Sequence, residues 1–264
     1  MLTASPPSRG PVTSLPPPAL FILLGASNLA RAYDAVVHCL TRCLRPRPVE
    51  FLSAMGPGRA YKARGGIFNI TYPPIGSCGI LAAAKDPARK AARKIALVTD
   101  IGNDIMYNVP VGEIIACLET LLRDFRALEA DVFVTRIPVD LETGVTEFQF
   151  DLLRGLFFPH SPVGRLQAAA AVREINGFLR DAAGGRIHLL PDMKEFCGVD
   201  KIHFSLFHSH KAWSLVTGEM IRVLKGEPAA VVGRFSTAAA LLTNLGRLAF
   251  CDLIPVRKKS PGFF

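Results

Sequence analysis

The chain has 264 residues, half of them hydrophobic, enough to fill one large core or two small ones. Its net charge of +9 permits contact with nucleic acid, anionic lipid or acidic substrates. Lys and Arg are spread thinly, however, and the densest cluster, residues 89–94, has no aromatic residue interleaved, so it reads as solvated surface and gives no stacking platform for nucleic acid.

No stretch is long and apolar enough for a transmembrane helix. The six cysteines, at 39, 43, 78, 117, 197 and 251, are scattered. Cys39 and Cys43 are spaced for packing on a helix and not as a metal or redox pair. This usage points to reduced thiols and a cytoplasmic setting.

A proline-rich lead-in over 1–17 buries little and is expected to be disordered. Residues 19–25 form a continuous apolar run ending at glycine, a buried strand more than a signal-peptide core. A helix follows over 28–44, with Leu29, Tyr33, Val36, Val37, Leu40 and Leu44 at helical spacing, stopped by Pro46 and Pro48. A second strand is expected over 49–54, then a glycine-rich loop running from Met55 through Gly56 and Gly58 to Gly65 and Gly66. Residues 75–93 are alanine-rich and expected to be mostly helical, interrupted at Pro87, and 94–99 make a third strand.

The clearest amphipathic helix is expected over 112–128, with Ile114, Leu118, Leu121, Phe125 and Leu128 in one stripe. A fourth strand over 131–137 leads into a long connection carrying Phe148, Phe150, Phe157 and Phe158. Ser161-Pro162 then reads as the start of a helix running to about Ala183. A fifth strand over 186–190 and a last main helix over 206–224 follow. Strand and helix alternate five times, which implies a three-layer α/β/α domain with a five-stranded, mainly parallel sheet. Ligands of such sheets bind beyond the carboxyl ends of the strands.

The residues with chemical potential sit there. Ser27, in Gly25-Ala26-Ser27-Asn28, follows the first strand at a helix N-terminus, which favours developing negative charge. Asn103, in Gly102-Asn103-Asp104, follows the third strand and carries a carboxamide able to donate to an oxyanion, with Asp104 supporting its loop. Asp200-Lys201-Ile202-His203 follows the fifth strand and lets a carboxylate hold one nitrogen of a histidine whose other nitrogen faces a nucleophile. Gly58, with Gly56 as the alternative, can offer a backbone N–H where a side chain would obstruct substrate. Together these are the parts of a serine hydrolase.

The rivals are weaker. Ser77 in Gly76-Ser77-Cys78-Gly79 lacks the first glycine of a nucleophile elbow and follows no strand. His208 and His210 beside Asp200 and His203 suggest a metal set, but acidic partners are few and no zinc spacing is matched, so neither metal nor cofactor is expected. The glycine-rich loop lacks the endings of a dinucleotide or phosphate-binding loop.

The ordered set of Gly-x-Ser-Asn, a glycine after the second strand, Gly-Asn-Asp and Asp-x-x-His resembles the SGNH hydrolase family, also called GDSL esterases/lipases, over residues 19–226. The resemblance implies a flavodoxin-like fold and metal-free hydrolysis of an ester, thioester or O-acetyl group. The expected partner is a small-molecule acyl ester or acylated carbohydrate. By position it implies Ser27 as nucleophile, His203 as base, Asp200 as its orienter, and Gly58 and Asn103 as oxyanion donors with the Ser27 N–H.

Two places depart from the family pattern. Ala26 stands where an aspartate is usual, and Ile101 where a glycine is usual. They motivate the alternative of a catalytically silent module that binds an acyl or sugar ligand or a partner protein.

The chain is thus divided into the lead-in, a hydrolase-like domain over 18–226, and an extension over 227–264. That extension has an apolar helical stretch and a basic tail, Arg257-Lys258-Lys259, and leaves a peripheral membrane or oligomer contact through 235–254 open.

Overall fold

A computed structural model describes residues 16–67, 70–227, 231–253 and 262–264. Five strands, β1 (Ala19–Leu24), β2 (Val49–Ala54), β3 (Arg93–Val98), β4 (Asp131–Val134) and β5 (Ile187–Leu189), pair in the order β2-β1-β3-β4-β5. Every pairing is parallel. This is the flavodoxin-like order.

The sequence of β1 explains its central place. All six residues are fully buried, as a strand covered on both faces must be. Its alternate side chains enter two different cores. Leu20, Ile22 and Leu24 join one with Ala96, Val98, Val132 and Val134. That face is covered by α4 (Val111–Ala127) and α6 (Arg165–Ala182), which contribute Leu118, Phe125, Val172 and Ile175. Ala19, Phe21 and Leu23 join the other with Ile95, Leu97 and Phe133. There α1 (Ser27–Leu44) and α7 (Ser209–Lys225) supply Val36, Leu40, Trp213 and Ile221.

The chain passes from β1 to β2 on one side and then to β3 on the other. The carboxyl ends of β1 and β3 therefore flank the point where the winding reverses, the place where open sheets of this kind form their crevice.

The extension packs against this body. Helix α8 (Arg234–Arg247) lies on α1 and buries Ala240 in the α1–α7 core. Residues Leu248–Leu253 continue it as a π-helix. Its outer side keeps Phe235, Leu242 and Leu245 exposed. Gly262–Phe264 then line the β2 edge. The Ser53 N–H donates to the Gly262 carbonyl at 2.7 Å, and the Phe264 N–H donates to the Ser53 carbonyl at 2.9 Å. The basic tail and all of the lead-in but its last two residues lie outside the described residues. Among the described residues no helix is long and apolar enough to cross a membrane.

Several sequence expectations change. The helix over 75–93 breaks into a 3₁₀ turn at Ile75–Ser77, the short α2 (Ile80–Ala84) and a second turn at Pro87–Arg89. Gly79, at φ +89°, turns the chain between the first two, and Asp86 accepts the Ala88 N–H to start the last with Pro87. The fourth strand stops at Val134. The long connection after it contains α5 (Glu147–Phe157), started by a capping box in which Thr146 and Gln149 exchange side-chain to backbone bonds. The helix expected from Ser161-Pro162 begins only at Arg165, with Gly164 at its N-cap. The helix expected over 206–224 is α7, starting at Ser209, and the apolar stretch of the extension forms α8.

Candidate active site

Ser27 is the first residue of α1, one residue past the β1 turn. The turn needs Gly25, because a Cβ there would lie 2.8 Å from the Thr99 Cγ2 atom. Here the chain passes too close to the end of β3 for any side chain. The turn aims the Ser27 hydroxyl at the loop after β5. Ser27 Oγ lies 2.8 Å from His203 Nε2. His203 Nδ1 lies 2.8 Å from Asp200 Oδ2.

The other oxygen of Asp200 accepts the backbone N–H groups of Ile202 (3.1 Å) and His203 (2.9 Å), so the carboxylate orders the loop that carries its own partner. Burial would raise the Asp200 carboxyl. The His203 ring, its charge and these two N–H groups together outweigh burial and hold it at about 2. The loop is closed at its base by the Gly198 N–H on the His203 carbonyl (2.7 Å) and the Ser205 N–H on the Phe196 carbonyl (2.9 Å).

Ser27, Asn103 and Asp200 line one cleft, which His203 joins through its bond to Ser27. Asn103 begins the short helix α3 (Asn103–Met106) and donates one N–H to the Arg59 carbonyl at 2.8 Å. A carboxamide has a second N–H to offer. Asp104 is fully buried and accepts the N–H groups of Tyr61 (2.7 Å), Lys62 (3.0 Å) and Ala63 (2.8 Å). It thereby ties the β2 loop to the β3 loop. Burial raises its carboxyl, and the three N–H groups oppose that shift.

Gly58 and Gly56 do not line the cleft. Gly58 sits at φ +71°, a Cβ there would meet Gly66, and its carbonyl accepts the Tyr107 hydroxyl at 2.7 Å. Its N–H finds no acceptor among the described residues, nor does that of Ser27. Gly56 is needed because a Cβ would collide with the Tyr72 ring. Ser77 lies in the turn before α2, away from this cleft. Among the described residues no three His, Cys, Asp or Glu side chains group to hold a metal ion.

The opposite wall is apolar. Ile105, Ile137, Leu141, Phe150, Leu153 and Phe157 line it, drawn from the β3 and β4 loops and from α5. The Phe157 ring meets the His203 ring edge-on, with centroids 5.6 Å apart. Phe158 also lines the cleft, while Phe148 of the same aromatic patch is 76% exposed and points away.

Two side chains in the site were not anticipated from the sequence. Asp100, at the end of β3, accepts the N–H groups of Ala26 and Leu29 and one from the Asn28 side chain. Asn28 in turn bonds to the backbone at Ile202 and Phe204. The available signals were an acid directly after a buried strand, and an amide next to the candidate nucleophile; both residue types also serve as ordinary turn formers.

No protein-family model matches the chain, and no curated protein matches it. Solved structures similar to it include a provisionally assigned acylhydrolase of Bacteroides fragilis. The two are 10% identical over 80% of this chain and 92% of the other, with a TM-score of 0.48. The esterase EstA of a Pseudoalteromonas species is 16% identical over 78% of this chain and 97% of the other, with a TM-score of 0.38. A member of the lipolytic G-D-S-L family from Veillonella parvula is 13% identical over 78% and 98%, with a TM-score of 0.43.

Within the molecule itself, three of the four blocks that resemble the SGNH hydrolases meet at one cleft, and the fourth, the glycine block, touches it through the bond between Asn103 and the Arg59 carbonyl.

Proposed function

We propose that the chain is a serine hydrolase of the SGNH type that cleaves a carboxylic ester, or a related thioester or O-acetyl group, through an acyl-enzyme on Ser27. The observation that carries this reading is the continuous line from Ser27 Oγ through His203 to Asp200, with both contacts at 2.8 Å. The hydroxyl is a poor nucleophile until a base takes its proton. His203 Nε2 is within reach to do so as the Ser27 oxygen attacks the acyl carbon, and Asp200 fixes the ring and balances the imidazolium that forms.

Negative charge on the former carbonyl oxygen falls to the Ser27 N–H and the second N–H of Asn103. Collapse releases the alcohol, or thiol, with the proton from His203. Water then repeats the sequence on the acyl-enzyme, freeing the acid and restoring Ser27.

The apolar wall suits the acyl chain of the substrate better than a sugar ring, because it offers hydrocarbon and aromatic surface and few polar partners. A silent binding module would not need a serine and a histidine held at hydrogen-bond distance, so the paired geometry favours the enzyme. Chromogenic esters of graded acyl length, given to the wild type and to Ser27→Ala, test the reading. The wild type should turn over several of them, with a fall of about 10⁶-fold in the variant. Equal rates in the two proteins would end it.

A further inference from the structure

Ser27 and His203 come from loops 176 residues apart in sequence, and their own bond is 2.8 Å long. Something must hold both loops to that separation when the bond breaks during turnover. Asp100 Oδ2 accepts the Ala26 N–H at 2.8 Å and the Leu29 N–H at 3.1 Å, which bracket Ser27. Asp100 Oδ1 accepts the Asn28 side-chain amide at 3.0 Å. That same amide nitrogen donates to the Ile202 carbonyl at 3.2 Å, and the Asn28 carbonyl oxygen accepts the Phe204 N–H at 2.8 Å. Ile202 and Phe204 bracket His203.

We infer that Asn28 and Asp100 form a positioning clamp that sets the distance between the Ser27 turn and the His203 loop. The inference rests on the hydrolase reading above. Asn28 grips both neighbours of the base, and Asp100 grips both sides of the nucleophile and Asn28 itself.

The chemistry of the two side chains fits this role. A carboxamide has two N–H donors and one oxygen, and all three atoms of Asn28 are engaged. Both oxygens of Asp100 are engaged as well. Asn28 therefore has no N–H left to present to substrate. Asn28 is buried, so removal of its amide would strand the Phe204 N–H and the Ile202 carbonyl without partners. Asp100 has a backbone φ of +58°, the left-handed region that non-glycine residues enter at a cost. That conformation brings its carboxylate back over the β1 turn.

The full chain is tested as Asn28→Ala and as Asp100→Asn. Each variant is assayed for kcat and KM on a chromogenic ester, for its melting temperature, and by NMR for the proton between His203 Nδ1 and Asp200. A clamp predicts a fall in kcat of about 10²-fold, the cost of misplacing a reacting group by about 1 Å. KM should stay within about twofold, since no substrate contact is lost. The His203 proton, expected as a resolved resonance in the wild type, should broaden or vanish in a variant that remains folded.

A merely structural pair would lower the melting temperature and leave kcat and the His203 proton unchanged, and that result overturns the clamp. Should Asp100→Asn fail to fold, Asn28→Ala decides alone. If the wild type shows no turnover that depends on Ser27, the hydrolase reading falls. The NMR arm still decides the clamp in that case, because a His203 proton indifferent to Asn28→Ala rejects it.

Discussion

The two walls of the cleft are built by opposite means. The polar wall, with Ser27, Asn28, Asp100, Asn103, Asp200 and His203, is tied by directional bonds of 2.8–3.2 Å that cross between the loops after β1, β2, β3 and β5. The apolar wall rests on packing. Helix α5 buries only Phe150 fully and leaves Phe148, Leu152 and Leu156 exposed at 76%, 59% and 66%. Hydrogen bonds fix angle and distance; hydrocarbon contact fixes mainly volume. One wall is therefore suited to defining a reaction, and the other to selecting the size of what reacts.

This contrast can be broken or sharpened by substitution. The largest effect within the polar wall, short of removing Ser27 or His203, is expected for Asp200→Asn. The amide cannot accept the Nδ1 proton of His203 in the way the carboxylate does, and kcat should fall by about 10⁴-fold with little change in KM. Stopped or steady-state assays with one short ester suffice, and a fall of less than about tenfold would show that the ring is oriented by other means.

Asn103→Ala comes next, at about 10²–10³-fold in kcat if the carboxamide meets the oxyanion. Because the variant also releases the Arg59 carbonyl, its melting temperature should be measured alongside. A kcat unchanged in a stable variant would remove Asn103 from the oxyanion site.

The smallest effect is expected on the other wall. Leu153→Trp fills part of the apolar cleft from α5, and should lower kcat/KM for long acyl esters about tenfold relative to an acetyl ester. Equal losses on both would place the acyl chain elsewhere.

The two walls were also unequally legible in the sequence. The central strands were legible because β1 and the last four residues of β3 are continuous apolar runs closed by turns, a pattern set by burial on both faces. Ser27, Asn103, Asp200 and His203 stood out as candidates because a serine, a carboxamide and an Asp-x-x-His each follow a strand. Asn28 and Asp100 were not, since their roles depend on bonds spanning 72 and 174 residues that no local pattern encodes.

Helix α5 was missed because its aromatic residues serve two environments at once, Phe150 inward and Phe148 outward, which blurs a helical stripe. The Thr146–Gln149 capping box was the local signal that could have found it. The alanine-rich stretch misled in the other direction: its helix propensity is real, but Gly76, Gly79 and Pro87 divide it into turns.

The account depends above all on Ser27 being the nucleophile that His203 activates. Mass spectrometry of the intact chain and its peptides after exposure to a fluorophosphonate measures this most directly. One phosphonyl group on the Ser27 peptide of the wild type, and none in the same time on His203→Ala, is the expected result. An unlabelled Ser27 in a folded wild type, or labelling that proceeds equally without His203, would contradict it.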